Sequence, residues 1–229
     1  MSLDLIVFPG AGSFGGELRA VVREFQPSAW LAHYPGRFGR DFGKPAESFT
    51  AVVKYCVAQI VRRKPNRPVL VGHSFGAYVA YAVAARLEEV GTGVVSLVVV
   101  GATAPSLLAV PETVTRSRSD LAVYLADLAP DADVSDDWRD ATLDLAMQDL
   151  RLLREFVPST YPRLRSPIRA ARGDGDQLAT TDGIRAWRPT TSGEFTYRVF
   201  VGGHSHVLHG SEFISWLREI GSGVEVARE

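Results

Sequence analysis

The chain has almost no cysteine. One thiol, Cys56, in 229 residues excludes an internal disulfide and fits a reducing compartment, so a cytoplasmic protein is expected. No catalytic-cysteine signature surrounds it, and it reads as a small core residue on a helix. Charge of one sign is also missing: 25 basic against 26 acidic residues leave no excess for nucleic acid or an anionic membrane surface. No run reaches 18 uninterrupted apolar residues, which argues against a membrane span. The first residues lack a basic region, an apolar core and a small-residue cleavage site, so no signal peptide is expected. Internal repeats, linkers and low-complexity tracts are absent too. What remains is a chain with 46% apolar and 22% charged residues, long enough for one domain with a sizeable core.

The organising stretch is Pro68-Val69-Leu70-Val71-Gly72-His73-Ser74-Phe75-Gly76. A short apolar run ends in Gly-His-Ser-Phe-Gly, and a helical pattern begins at once with Ala77, Tyr78, Ala80, Tyr81, Ala84, Ala85 and Leu87. Strand, tight turn and helix with a serine at the apex match G-x-S-x-G, the nucleophile elbow. Other apolar runs predict strands at Leu3–Phe8, Ala29–Tyr34, Val94–Val100, Ile168–Arg172 and Tyr197–Val201. Helices are predicted at Glu17–Phe25, Pro45–Lys64 and Glu212–Ile220. Alternating strands and helices imply an α/β fold, a mostly parallel sheet with helices on both sides. The exception is Pro105–Arg165, without a strand pattern but with helical stretches at Asp120–Leu128 and Trp138–Phe156. An insertion of that length is a lid candidate. The expected organisation is a single domain over residues 1–229 with a lid insertion at about 105–165.

A serine hydroxyl needs an adjacent base, itself oriented by a carboxylate. On this fold the partners follow in the order serine, acid, histidine, each in a loop after a strand. Gly173-Asp174-Gly175-Asp176 follows one predicted strand, and Gly202-Gly203-His204 follows another. The assignment is Ser74 as nucleophile, His204 as base and then acid, and Asp176 as orienting acid. Asp174 and Asp182 are rival acids, and His206 is a rival base. The oxyanion hole takes one backbone N–H from Phe75 and a second from the glycine-rich loop after the first strand, with Ala11 preferred over Gly10 or Gly12.

With these residues in view the chain resembles the type II thioesterases, discrete editing hydrolases that accompany polyketide synthases and nonribosomal peptide synthetases. Four blocks carry the resemblance across nearly the whole length. Phe8-Pro9-Gly10-Ala11-Gly12 is similar to the family's Phe-Pro-x-Ala-Gly loop, and Tyr34-Pro35-Gly36-Arg37 to its Tyr-Pro-Gly-Arg segment. Gly72–Gly76 is similar to its elbow, and Gly203-His204 to its histidine motif. The resemblance implies an α/β-hydrolase fold with a helical lid and no metal or bound cofactor. It also implies hydrolysis of acyl groups from the phosphopantetheine arm of an acyl- or peptidyl-carrier protein, for editing or product release. Ser74, Asp176 and His204 carry over as the triad. Two positions depart from the pattern: Ser205 and His206 stand where an aromatic residue usually follows the histidine, and Gly10 where a histidine is common. Arg37 and Arg40 are read either as contacts to the carrier's acidic surface or phosphate, or as surface or loop-bracing residues. A monomer is the default expectation.

Four other readings compete. General ester hydrolysis on the same fold is the nearest. His204, His206 and His209 have the H-x-H-x-x-H spacing of dinuclear metallohydrolases, but Leu208 stands where an aspartate belongs and no histidine follows. Gly10-Ala11-Gly12-Ser13-Phe14-Gly15 fits the dinucleotide fingerprint, yet Ala32, His33 and Tyr34 replace the expected acid, which leaves an NADP-binding protein relying on Arg37 or Arg40. A non-catalytic hydrolase-fold binding protein usually lacks a triad member, and all three are present here.

Overall fold

A computed structural model of the chain describes residues 3–126 and 136–222, with the backbone alone at 124–126, 136–141 and 221–222. Six strands form one sheet: β1 (Asp4–Phe8), β2 (Ala29–Leu31), β3 (Pro68–His73), β4 (Ser96–Val100), β5 (Ile168–Gly173) and β6 (Phe195–Phe200). Their order is β2-β1-β3-β4-β5-β6, and every adjacent pair is parallel. The three central strands read DLIVF, PVLVGH and SLVVV and are almost wholly buried, because a parallel sheet covered on both faces leaves no strand side for water.

The period-two alternation of a strand sorts these side chains between two cores. Ile6, Phe8, Leu70, Leu97 and Val99 pack with α2 (Phe49–Arg63) and α3 (Phe75–Glu89). Leu5, Val7, Val69, Val71, Val98 and Val100 pack on the other face, against Val21 of α1 (Arg19–Glu24) and Phe213, Trp216 and Leu217 of α7 (Ser211–Ser222). Strand order reverses between β1 and β3, since β2 lies outside β1 while β4 to β6 run the other way. The loops after β1 and β3 therefore open side by side, where sheets of this kind bind ligands.

Between β4 and β5 the chain carries α4 (Arg118–Ala126) and α5 (Asp136–Arg154), close to the two predicted helices; Leu128, the end of the first prediction, lies outside the described residues. Ala146, Leu150 and Leu153 of α5, with Phe156 just after it, are buried in the first core. No helix among the described residues is long and apolar enough to cross a membrane.

Several boundaries differ from expectation. β2 stops at Leu31 instead of Tyr34: Ala32 N–H still donates to Val7 C=O of β1 (2.8 Å), but the Gln59 side chain then takes the backbone of His33, its amide oxygen accepting from His33 N–H and its amide nitrogen donating to His33 C=O (3.1 and 2.7 Å). α2 begins at Phe49 instead of Pro45, since extended Ser48 caps it by accepting from Ala51 N–H. The segment predicted as one helix from Glu17 opens as a 3₁₀ turn, Gly16–Leu18, before α1. A short helix after β5, α6 (Thr181–Arg185), has no counterpart in the sequence reading.

Candidate active site

At the end of β3 the chain turns into α3 within one residue, and that residue is Ser74. Its backbone is left-handed in φ and extended the wrong way in ψ (51° and −120°), a conformation costing about 1–3 kcal/mol for a side chain with a Cβ. Two contacts hold it there. Ser74 N–H donates to Val100 C=O of β4 (2.9 Å), and Ser74 C=O accepts from Ala77 N–H (2.9 Å). The turn closes only because its flanks carry no side chains: a Cβ at Gly72 would lie 2.5 Å from the Ala77 Cα, and one at Gly76 would lie 2.6 Å from the Pro9 carbonyl oxygen. Ser74 is half-buried, and Phe75 opens α3, so its N–H belongs to the unpaired first turn at the positive end of the helix.

His204 lies in the turn after β6 and Asp176 in the turn after β5. The imidazole Nδ1 is 3.0 Å from Asp176 Oδ2, and both residues are buried. The other carboxylate oxygen accepts from Leu178 and Ala179 N–H at 2.9 and 3.1 Å. Burial by itself raises the pKa of Asp176, but the hydrogen bonds from His204, Ala179 and Leu178 outweigh it and hold the carboxyl below its ordinary range. An ionised carboxylate only accepts, so Nδ1 carries the proton and Nε2 keeps its lone pair. Burial pushes the His204 pKa down, with the Asp176 hydrogen bond pulling upward and His73 adding to the fall.

The end of β4 joins the two halves. Val100 holds the Ser74 backbone, and the next residue, Gly101, lies flat against the pair: a Cβ there would come 3.0 Å from His204 Cε1 and 3.3 Å from Asp176 Oδ2. Sequence reasoning did not single out Gly101, whose requirement is visible only once the pair is beside it. His73 Nε2 lies 3.2 Å from His204 C=O, and the two rings are 4.8 Å apart.

The rival residues are used elsewhere. Asp174 ties the acid loop to the histidine loop, accepting from Gly202 N–H at 2.9 Å. The Asp182 side chain is exposed and lies near Arg185. His206 and His209 are exposed with rings 6.4 Å apart, while His204 is turned inward to Asp176. Among the described residues no group of three or more histidine, cysteine, aspartate or glutamate side chains is arranged to hold a metal ion.

The loop after β1 is built closely around one residue. Gly10 N–H donates to Glu17 Oε1 (2.9 Å) and Gly12 N–H to Asp149 Oδ2 (2.7 Å). Among the described residues the N–H of Ala11 between them has no partner. Carboxylates on both flanking N–H groups leave no cradle for a pyrophosphate, which argues against the dinucleotide reading. Arg37 is buried (2% exposed), hydrogen-bonded to Asp149 of α5 and to Ser13 C=O, and so braces the loop after β1. The alternative in which it faces a carrier protein is corrected, while Arg40 is exposed. Glu17 and Asp149 were both missed by sequence reasoning.

Comparison with known proteins agrees with this architecture. Residues 4–221 match the model of the thioesterase domain. The chain is 30% identical over 224 residues to thioesterase PikA5 of Streptomyces venezuelae, covering 90% of this chain and 76% of that protein. It is 28% identical over 214 residues to thioesterase TesA of Mycobacterium leprae, covering 89% and 80%. Among solved structures, the type II thioesterase BorB from the borrelidin biosynthetic cluster superposes with a TM-score of 0.85 at 29% identity, covering 96% of this chain and 93% of that one. The RedJ thioesterase of the prodiginine pathway in Streptomyces coelicolor gives 0.83 at 28% identity, covering 97% and 90%. With the sheet, the elbow and these relatives in agreement, the chain belongs to the thioesterase family, as a type II thioesterase with the α/β-hydrolase fold.

Proposed function

We propose that the chain hydrolyses acyl thioesters carried on the phosphopantetheine arm of an acyl- or peptidyl-carrier protein, through an acyl-enzyme on Ser74. The observation that carries the reading is the buried His204–Asp176 pair meeting the strained serine turn at the Val100–Gly101 corner. His204 Nε2 takes the Ser74 hydroxyl proton as Oγ attacks the thioester carbonyl carbon. The oxyanion is received by the N–H groups of Phe75 and Ala11. As the tetrahedral intermediate collapses, the C–S bond breaks and His204 returns its proton to the departing pantetheine sulfur. Water, deprotonated by His204, then attacks the serine ester, and the free acid leaves as Ser74 regains its proton. Asp176 holds the Nδ1–H tautomer and stabilises the transient imidazolium.

The chain acts as one hydrolase domain in which the described part of the insertion at about 105–165 serves as the lid, with α5 as the wall fixed to the loop after β1. It includes a cytoplasmic location, supported by the single cysteine, which is buried. The test is hydrolysis of short acyl-pantetheine thioesters and matched oxygen esters by wild type, Ser74→Ala and His204→Ala, with and without a chelator. Thioester turnover lost in both variants and indifferent to chelator is expected. Preference for the oxygen esters would favour a general esterase, and turnover surviving in Ser74→Ala would end the serine mechanism.

A further inference from the structure

Six of the nine backbone N–H and C=O groups of Pro9–Ser13 are tied down, and besides one bond within the loop the ties come from three separate parts of the fold. Tyr34 Oη donates to Pro9 C=O at 2.9 Å, and Arg37 donates to Ser13 C=O, so the segment after β2 grips the loop at both ends. Within the loop, Ser13 N–H donates to Gly10 C=O at 3.2 Å. Glu17, just before α1, takes Gly10 N–H with one oxygen and the Ser13 hydroxyl with the other. From the far side, Asp149 of α5 takes Gly12 N–H. α5 also comes close enough that a Cβ at Gly12 would lie 2.6 Å from Thr142 C=O and 2.7 Å from the Ala146 Cβ.

Asp149 is itself oriented. Arg37 pairs with it from inside the protein while stacking over the Tyr34 ring, its guanidinium carbon 4.5 Å from the ring centroid. Both side chains of this ion pair are buried, 2% and 9% exposed. A buried pair of charges adds little net stability compared with apolar packing, so its value lies in fixing one arrangement. That arrangement alternates: the N–H groups on either side of Ala11 are consumed by carboxylates, and the one between them is left over.

We propose that Asp149, oriented by Arg37, is a positioning residue for the oxyanion hole: by holding Gly12 N–H on the α5 side, it turns the Ala11 N–H toward the nucleophile. This rests on the serine thioesterase reading above. It also ties the inserted helix α5 to the catalytic loop, so that α5 cannot leave the site without loosening a donor of the hole. The Tyr34–Arg37 segment gains a function in the same way, as the support that holds Pro9, Ser13 and Asp149 at once.

The test pairs two substitutions with one measurement on the wild-type protein. Asp149→Leu removes the acceptor, whereas Asp149→Asn keeps a carbonyl oxygen for Gly12 N–H. With acyl-pantetheine thioester as substrate, Asp149→Leu is expected to lose kcat on the order of 10²-fold, the effect of losing one oxyanion donor, while KM stays within about threefold. Asp149→Asn is expected to recover about tenfold or more of that loss. A folded Asp149→Leu variant with wild-type kcat, a loss confined to KM, or an Asn variant no better than Leu would each overturn the proposal.

Asp149→Leu leaves Arg37 buried without its partner and can fail to fold. The second measurement avoids this by reading backbone amide resonances of wild type before and after an alkyl fluorophosphonate occupies Ser74. The Ala11 amide proton is expected to move downfield more than those of Gly10 and Gly12, which keep their carboxylate partners. A shift at Gly10 or Gly12 with Ala11 unmoved would overturn the proposal. Ser74→Ala separates the two ideas. Full thioester turnover in that variant, or a phosphonate that does not attach to Ser74, would sink the serine reading itself. A Ser74-dependent enzyme indifferent to Asp149 would sink the positioning role alone.

Discussion

Replacing Glu17 with glutamine isolates the charge that holds one end of the loop after β1. Glu17 lies under the loop with its side chain 14% exposed, accepting from Gly10 N–H and the Ser13 hydroxyl, and its Oε1 is 3.7 Å from His73 Nδ1. That last distance is within ion-pair reach but too long for a hydrogen bond. Burial alone raises the pKa of this carboxyl, but the attraction of His73 and the hydrogen bonds from Ser13 and Gly10 outweigh it and bring it to about 2, from an ordinary 4.5. Such a displacement is worth about 3 kcal/mol to the folded state at neutral pH. The folded value lies below the unfolded one, so the contribution is complete above about pH 4.5 and is lost as pH falls toward about 2. Glutamine can still accept from Gly10 N–H, which makes about 3 kcal/mol a ceiling for the substitution. Urea unfolding followed by tryptophan fluorescence reads it, since Trp187 and Trp216 are buried in opposite cores. Wild type should exceed Glu17→Gln by about 2–3 kcal/mol at pH 7, with the gap narrowing by about 1 kcal/mol at pH 3.5. A gap below about 1 kcal/mol at pH 7, or one that does not change on acidification, would refute the reasoning.

Three further expectations concern the histidine, the serine turn and the core. Because burial lowers the His204 pKa below its ordinary 6.5, the imidazole stays neutral and basic into mildly acid solution; the acid limb of kcat/KM should therefore fall at an apparent pKa below 6.5, and one at or above that value would contradict it. Gly76→Ala drives a Cβ into the carbonyls of Phe8 and Pro9, which must move with the loop that follows. It should cost about 3 kcal/mol or more by chemical denaturation and reduce kcat, whereas a neutral outcome would mean that the elbow does not bear on that loop. The Cys56 thiol is fully buried, with its pKa pushed up by that burial. It should resist a soluble disulfide reagent in the native protein and react only on unfolding, with rapid native labelling as the contrary result.

Much of the fold is legible in the sequence because the central strands are continuous apolar runs with period-two sorting, and a parallel sheet needs nothing more local than that. Val69, Leu70 and Val71 lead into Gly72 and Gly76, and only such a turn explains two glycines flanking a serine between a strand and a helix. His204 and Asp176 are readable for a related reason: each follows a strand, and neighbouring parallel strands deliver their following loops to the same edge. The supports of the site are not readable. Asp149 sits 112 residues from Arg37 and 137 from Gly12, on a helix where Asp144 looks equivalent in sequence yet is exposed. A charged residue on an amphipathic helix reads as solvent-facing unless the arginine that meets it is known. Glu17 is disguised in the same way, as an acid near a helix start. The early end of β2 depends on Gln59, which only tertiary packing brings to His33.

The central claim is a covalent acyl group on Ser74, and rapid quenching of the wild-type protein with an acyl-pantetheine thioester tests it most directly. Intact-mass analysis followed by peptide mapping should find the acyl mass on the segment containing Ser74, absent from Ser74→Ala and longer-lived in His204→Ala if that variant still acylates. An acyl mass on another residue, or thioester turnover in Ser74→Ala with no adduct at all, would contradict the account.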